Sequence, residues 1–158
     1  IYAKKPNLPS ANTISDSVIQ NLRKEDDFGI NKFETYETFA KRVYGSKEHL
    51  LRCLSNLKHN GKKIMCIGAT AKSTTVFNYC GIGTDLIDVI TDTTIDKQGT
   101  FAPGSHIPIL SPDEVDLNDY DYVYLGAWNF KDVIMNNEKE FIKNGGKFIT
   151  HVPEVTTF

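Results

Sequence analysis

Lys62-Lys63-Ile64-Met65-Cys66-Ile67-Gly68-Ala69-Thr70-Ala71-Lys72-Ser73-Thr74-Thr75 reads as a buried strand, a turn and the start of a helix. Ile64 to Ile67 are apolar without alternation, the mark of a strand covered on both faces. Gly68 ends the strand. Helix-compatible residues then run from about Ser73 to Tyr79, and Gly81 and Gly83 close that helix. A strand feeding a helix in this way is a building unit of α/β sheets.

The same alternation continues on both sides. Upstream, Phe33, Tyr36, Phe39, Val43, Leu50, Leu51, Leu54 and Leu57 recur at helical spacings, which predicts a helix from Phe33 to His59 with a bend at Gly45-Ser46. Asn60-Gly61 stops it. Downstream, Leu86 to Thr91 reads as a second strand ending at Asp92. An irregular stretch rich in Thr, Gly and Pro follows, from Thr93 to Pro112, with one short apolar piece at Ile107-Pro108-Ile109. Tyr122 to Ala127 predicts a third strand. Asn129 to Asn144 predicts a helix with Val133, Ile134, Phe141 and Ile142 inward, and Gly145-Gly146 ends it. Lys147 to Val152 predicts the last strand. Residues 5 to 32 are polar and read as a linker or arm, with a short helix at Asp16 to Leu22. The expected class is α/β, with a mostly parallel sheet flanked by helices and an N-terminal helical arm. No internal repeat or low-complexity segment breaks this pattern.

A chain of 158 residues suffices for one domain with a real core. The formal net charge of -2 gives no basic excess that would call for nucleic acid or an anionic membrane. The apolar runs fall far short of the ~20 residues of a membrane span. IYAKKPNLPS has neither the apolar core nor the cleavage pattern of a secretory signal. Cys53, Cys66 and Cys80 form no C-x-x-C pair, which argues against a disulfide framework or a cysteine-rich zinc site. Cys66 is expected as a buried free thiol, and a reducing cytoplasm is the default setting. The first residue is Ile rather than Met, and Ile1 to Lys4 reads as a strand fragment, so a piece of a longer protein, or a processed or trimmed chain, is expected.

The chemistry concentrates in the turn from Gly68 to Thr75. A strand-to-helix turn aims free N–H groups at one spot, and the helix dipole adds positive potential there. Gly and Ala allow close backbone approach, Lys72 adds charge, and Ser73 and Thr74 add hydroxyls, a set suited to a phosphate or pyrophosphate. The same residues also suit a tight connection with a Ser/Thr helix cap, and both readings stand. Neither G-x-G-x-x-G nor G-x-x-x-x-G-K-[ST] is present. Asp92 lies about 24 residues after Gly68, near the offset of a ribose-binding acid, although a turn-forming Asp is the simpler reading. His106, among the turn residues of Pro103-Gly104-Ser105-His106, either bonds a phosphate, acts as acid or base, or satisfies loop carbonyls. Trp128, the one tryptophan, follows a strand and either stacks on a base or sugar or packs in the core. The four histidines are scattered without H-E-x-x-H, so no metal site is expected, and no G-x-S-x-G elbow supports a hydrolase.

Several uncommon words occur in order: ETYETFAKRV at 34–43, GKKI at 61–64, GATAK at 68–72, NYCGI at 78–82, KQG at 97–99, PGSHIPI at 103–109, WN at 128–129 and GGKFI at 145–149. Over roughly residues 33 to 153 the chain resembles the three-part S-adenosylmethionine-dependent sugar C-methyltransferases that act on nucleotide-linked deoxyketosugars. That family carries an N-terminal zinc-binding region, a middle methyl-donor domain and a C-terminal Rossmann-like domain, with the nucleotide-sugar between the last two. The resemblance implies that this chain is the last part, a Rossmann-like substrate-binding domain at 33–158. Ile1 to Lys4 would be the tail of the donor domain and 5 to 32 the connection. Two departures stand out. The family loop is usually Gly-Ala-Pro-Ala-Lys-Gly, where this chain has Thr70 and Ser73, and Ser105 stands where threonine is common.

The chemistry so implied is removal of a proton next to the sugar's keto group, followed by attack of the enolate on the sulfonium methyl. The base and the S-adenosylmethionine site would belong to the missing domain, so no catalytic residue and no cofactor are expected in this chain, and it should be inactive alone. Its implied part is to bind a nucleotide-sugar, expected to be dTDP-linked, through Ala71, Lys72, Ser73 and Thr74 at the pyrophosphate. Asn78 and Tyr79 would lie along the same helix. Asp92, Lys97, His106 and Trp128 would complete the site. The implied partners are that ligand and the S-adenosylmethionine-binding domain, and an apolar face uncovered by its loss would allow a homodimer. A nicotinamide-dependent oxidoreductase domain, a stand-alone nucleotide-sugar-binding module and a plain interaction domain remain as alternatives.

Overall fold

Seven strands form one mixed sheet in the computed structural model, which describes residues 14–158. They are β1 (Ile64–Ile67), β2 (Ile90–Thr91), β3 (Thr100–Phe101), β4 (Pro108–Leu110), β5 (Tyr122–Leu125), β6 (Lys147–Thr150) and β7 (Thr156–Thr157). The spatial order is β3-β4-β2-β1-β5-β6-β7. β4, β2, β1, β5 and β6 run parallel, and the edge strands β3 and β7 are antiparallel to their neighbours. Counting only the parallel strands, the order is third, second, first, fourth, fifth, which is the Rossmann winding. The expected α/β class therefore holds. The winding reverses between β1 and β5, and ligands in such sheets sit at the carboxyl ends of the strands at that point.

Five α-helices accompany the sheet among the described residues: α1 (Asp16–Phe28), α2 (Phe33–His59), α3 (Ala71–Cys80), α4 (Lys131–Asn137) and α5 (Lys139–Lys143). The chain divides into two compact units, Ile1–Arg42 and Val43–Phe158, with the boundary inside α2. The whole sheet lies in the second unit. The strand fragment expected at Ile1 to Lys4, and the arm as far as residue 13, lie outside the described residues.

In the first unit the short helix expected at Asp16 to Leu22 extends to Phe28. Arg23 to Asp27 looks like a solvated charge run, but Arg, Lys and Glu are good helix formers, and only Gly29, at φ 79°, halts the chain. Thr35 Oγ1 donates to Gly29 O at 2.8 Å and Tyr36 Oη to Ile30 O at 2.6 Å, which ties the start of α2 to this turn. α2 has the limits that its apolar spacing predicts and continues unbroken through Gly45-Ser46.

In the second unit the sheet is covered on both faces, as the uninterrupted apolar run of β1 requires. Ile64 and Cys66 share one side with Leu50, Leu54, Phe77, Tyr124 and Ile149. Met65 shares the other with Val123, Leu125, Phe141 and Phe148. Cys66 is a buried free thiol whose pKa burial pushes far up, so it is inert.

Four expectations need correction. The strand expected at Leu86 to Thr91 is shorter, because Leu86 and Ile87 close a turn by donating their N–H groups to Gly83 O. Pairing with β1 nevertheless starts at Asp88, whose N–H donates to Ile64 O and whose carboxylate accepts from Ile64 N and Lys58 Nζ. The stretch from Thr93 to Pro112 is not irregular throughout. It holds the β3–β4 hairpin, with Pro108 at the first position of its strand, where a missing N–H is tolerated. The helix expected at Asn129 to Asn144 begins as a 3-10 turn at Trp128–Phe130 and breaks at Glu138, at φ -101° and ψ 35°. Ile134 and Phe141, seven positions apart, face inward, while Val133 is 58% and Ile142 38% exposed. The last strand stops at Thr150, and the chain returns as β7, which the sequence does not announce. Among the described residues no helix is long and apolar enough to cross a membrane.

Two glycines should respond to alanine in opposite directions. A Cβ on Gly126 would stand 2.4 Å from Gly68 O and 2.9 Å from Cys66 Sγ, whereas one on Gly45 would meet nothing within 4 Å. Gly126→Ala is expected to lower the unfolding free energy by about 2 kcal/mol or more, and Gly45→Ala to raise it by roughly 0.5–1 kcal/mol. Denaturant titration of both variants checks the pair of signs.

Candidate functional site

The carboxyl ends of β1 and β5 meet at the switch point. Gly68 has φ 99°, and a Cβ there would lie 2.9 Å from Ala127 Cβ. Gly68 and Gly126 thus let the two turns pass at backbone distance. Thr70 then caps α3. Its Oγ1 accepts from Ser73 N at 3.1 Å and donates to Gly126 O at 3.0 Å. Ser73 Oγ accepts from Thr70 N at 2.9 Å, completing a capping box. Its own proton is shared between Gly68 O at 3.0 Å and Thr70 O at 2.9 Å. Ser73 is 1% exposed, so its hydroxyl is taken up within the chain.

The N–H groups of Ala71 and Lys72, by contrast, have no acceptor among the described residues. They are the orphan donors of the helix start. Ala71 and Lys72 are exposed and Thr74 is half-buried. Lys72 Nζ donates to Asn129 Oδ1 at 2.8 Å and stands 5.8 Å from the Trp128 ring centre. One lysine therefore spans the gap between the turn after β1 and the turn after β5.

Asp92, at the end of β2, braces this arrangement from the other side. Its Oδ2 accepts from Ala69 N at 2.9 Å and from Lys97 Nζ at 3.1 Å, and its Oδ1 accepts from Thr94 N at 2.9 Å. Lys97 Nζ also donates to Ala69 O at 2.9 Å. Burial works to raise the Asp92 pKa, but the bonds from Thr94 and Lys97 together outweigh it and hold the carboxyl below its usual range. Both oxygens are used, as in the turn-forming reading. With Lys97 paired to Asp92, Lys72, which has no carboxylate partner among the described residues, brings a positive charge to the switch point.

The structure brings together Ala71, Lys72, Ser73, Thr74, Asp92, Lys97 and Trp128, and leaves Asn78, Tyr79 and His106 elsewhere. α3 is ten residues long, about 15 Å, so its last turn lies at the amino ends of the strands. There Asn78 Nδ2 donates to Thr74 O at 2.8 Å and to Pro103 O at 2.9 Å. Tyr79 is exposed, and its carbonyl accepts from Lys47 Nζ at 3.0 Å. His106 lies in the turn that enters β4, at φ 56°, with an exposed ring.

The sequence matches the family described as the C-methyltransferase C-terminal domain over residues 1–153. The chain belongs to this family. It is also 37% identical over 141 residues to the C-methyltransferase NovU of Streptomyces niveus. That stretch covers 89% of this chain and 34% of NovU, so the chain spans about a third of the length of that relative.

In this C-methyltransferase C-terminal domain, sequence reasoning passed over His151. It directly follows β6, as Asp92 follows β2, and position just after a parallel strand was the signal that could have found it. His151 is 8% exposed, and its Nδ1 lies 2.6 Å from the Tyr124 hydroxyl. Trp128 packs edge-on against it with ring centres 4.9 Å apart. Among the described residues no group of three His, Cys, Asp or Glu could hold a metal.

Burial pushes the His151 pKa down from 6.5 to about 4. The unfolded chain therefore binds a proton here that the folded chain refuses, and stability falls with pH across that interval. Asp92, held low, contributes stability that is lost as pH falls through the range below 3.8. Unfolding free energy is expected to decline from pH 6.5 toward 4, with His151→Phe flattening that limb and leaving the more acidic one. Urea titrations across this pH range check both limbs.

Proposed function

We propose that this domain holds a nucleotide-linked deoxyketosugar, of the dTDP-linked kind, so that the carbon next to the keto group can be methylated. The observation that carries the reading is the convergence at the switch point of the Ala71 and Lys72 N–H groups, the α3 dipole and the Lys72 ammonium. A diphosphate is the group such a cluster favours. Trp128, whose face is within reach of the same ammonium, offers a platform for a sugar or base. Binding energy gathered here would fix the reacting carbon against a methyl donor supplied from elsewhere.

The donor in such enzymes is S-adenosylmethionine, and the residues of this chain do not fit it. The acid at the end of β2 would have to take the ribose hydroxyls, yet both Asp92 oxygens are engaged by Ala69, Thr94 and Lys97. The same fact, with Thr70 where a dinucleotide fingerprint needs glycine, weighs against a nicotinamide site. On this reading the donor belongs to a separate S-adenosylmethionine-binding domain, the partner of this one; the family resemblance implies that the catalytic base lies there too, and that the chain alone is inactive.

Calorimetric titration with dTDP, a dTDP-linked sugar, NAD and S-adenosylmethionine tests the reading. Saturable binding of the two dTDP compounds alone is expected. Lys72→Ala should weaken that binding at least tenfold, the effect of one lost charge-assisted contact of about 1.5–3 kcal/mol. Unchanged affinity in the variant would contradict the placement of the diphosphate.

A further inference from the structure

We infer that His151 is a ligand-binding residue of the same switch-point site, presenting an Nε2–H donor to an uncharged carbonyl oxygen of the bound nucleotide-sugar. This rests on the reading of that site just given.

The Tyr124 hydroxyl fixes the tautomer. Tyr124 is 0% exposed, and among the described residues its hydroxyl has a single partner, His151 Nδ1 at 2.6 Å. Were Nδ1–H the donor, the phenolic proton would be left without an acceptor in a dry site, at a cost of about 1–3 kcal/mol. The hydroxyl therefore donates and Nδ1 accepts. A neutral imidazole with Nδ1 as acceptor carries its proton on Nε2. Burial of the ring keeps it neutral at ordinary pH.

Nε2 has no hydrogen-bond partner among the described residues. Nor is it sealed in, since Ser105 Oγ is the one enclosed side-chain atom there without a partner. The ring is nonetheless fixed: it stacks on Tyr124 at 5.8 Å and 16°, and Trp128 meets it at 84°. A preorganised donor is thus open at the carboxyl end of β6, one aromatic ring away from Lys72. A phosphate would favour the imidazolium, which burial opposes, so a neutral acceptor suits this nitrogen better. The nucleotide-sugar offers two carbonyl sources, the keto group of the sugar and the base.

Two measurements test the assignment. Nitrogen-15 spectra of the unliganded protein should show His151 as the Nε2–H tautomer, and the Nδ1–H tautomer would overturn the inference whatever any variant does. Titrations of dTDP and a dTDP-4-ketosugar should then show His151→Leu binding about fivefold to tenfold more weakly than wild type. His151→Gln, whose amide N–H can stand near the Nε2 position, should stay within about twofold. A loss already present with dTDP assigns the base carbonyl, and a loss confined to the ketosugar assigns the keto group, each in support. Equal affinity of a folded His151→Leu variant and wild type would overturn the role of His151 while leaving the switch-point reading intact. Failure of wild type to bind either compound would sink the switch-point reading and this inference with it.

Discussion

Gly126 comes so close to Gly68 that the Gly68 carbonyl oxygen lies 2.4 Å from where its Cβ would be. This contact lets the turns after β1 and β5 run side by side. The Gly126 N–H donates to Ile67 O, and Gly126 O accepts from Thr70, so one peptide holds both strand ends and the cap of α3. From the cap follow the aim of the helix dipole, the open N–H groups of Ala71 and Lys72, and the reach of Lys72 to Asn129. A side chain at either glycine would part the two turns and disperse the donors.

The polar residues at this end divide into those whose hydrogen bonds build the two turns and those that keep unused capacity. Ser73 and Asp92 are builders, because every strong bond they can make inward is made. Asn78 is another builder at the opposite end. A Cβ on Gly104 would fall within 1.8 Å of its amide oxygen, so α3 and the turn into β4 are fitted to each other. Lys72, Trp128 and the outer nitrogen of His151 retain capacity. Structural satisfaction, rather than residue type, separates the two groups.

Much of the frame was legible where many residues repeat one signal. The apolar spacing of α2, the unbroken Ile64–Ile67 run and the glycines after α3 and α5 each admit one reading. The hairpin of β3 and β4 and the edge strand β7 were hidden, because two or three residues carry no period and their pairing depends on distant partners. The break at Glu138 was hidden because Glu is a good helix former. For the site, the turn after β1 was legible from Gly68 and the run of small and hydroxyl residues. Which end of the sheet a residue occupies was not. Asn78 is only six positions beyond Lys72, yet a ten-residue helix carries it toward the opposite edge. His106 follows the same logic through β3.

We propose that a nucleotide-sugar sits at the carboxyl ends of β1 and β5. Amide chemical-shift mapping of the labelled protein during titration with a dTDP-linked sugar locates the ligand. Saturable shifts concentrated at Gly68 to Lys72 and Gly126 to Asn129 are expected, with Asn78, Tyr79 and His106 nearly still. Shifts centred instead on the turn around Gly104 and His106 would place the ligand at the opposite edge of the sheet and contradict the proposal.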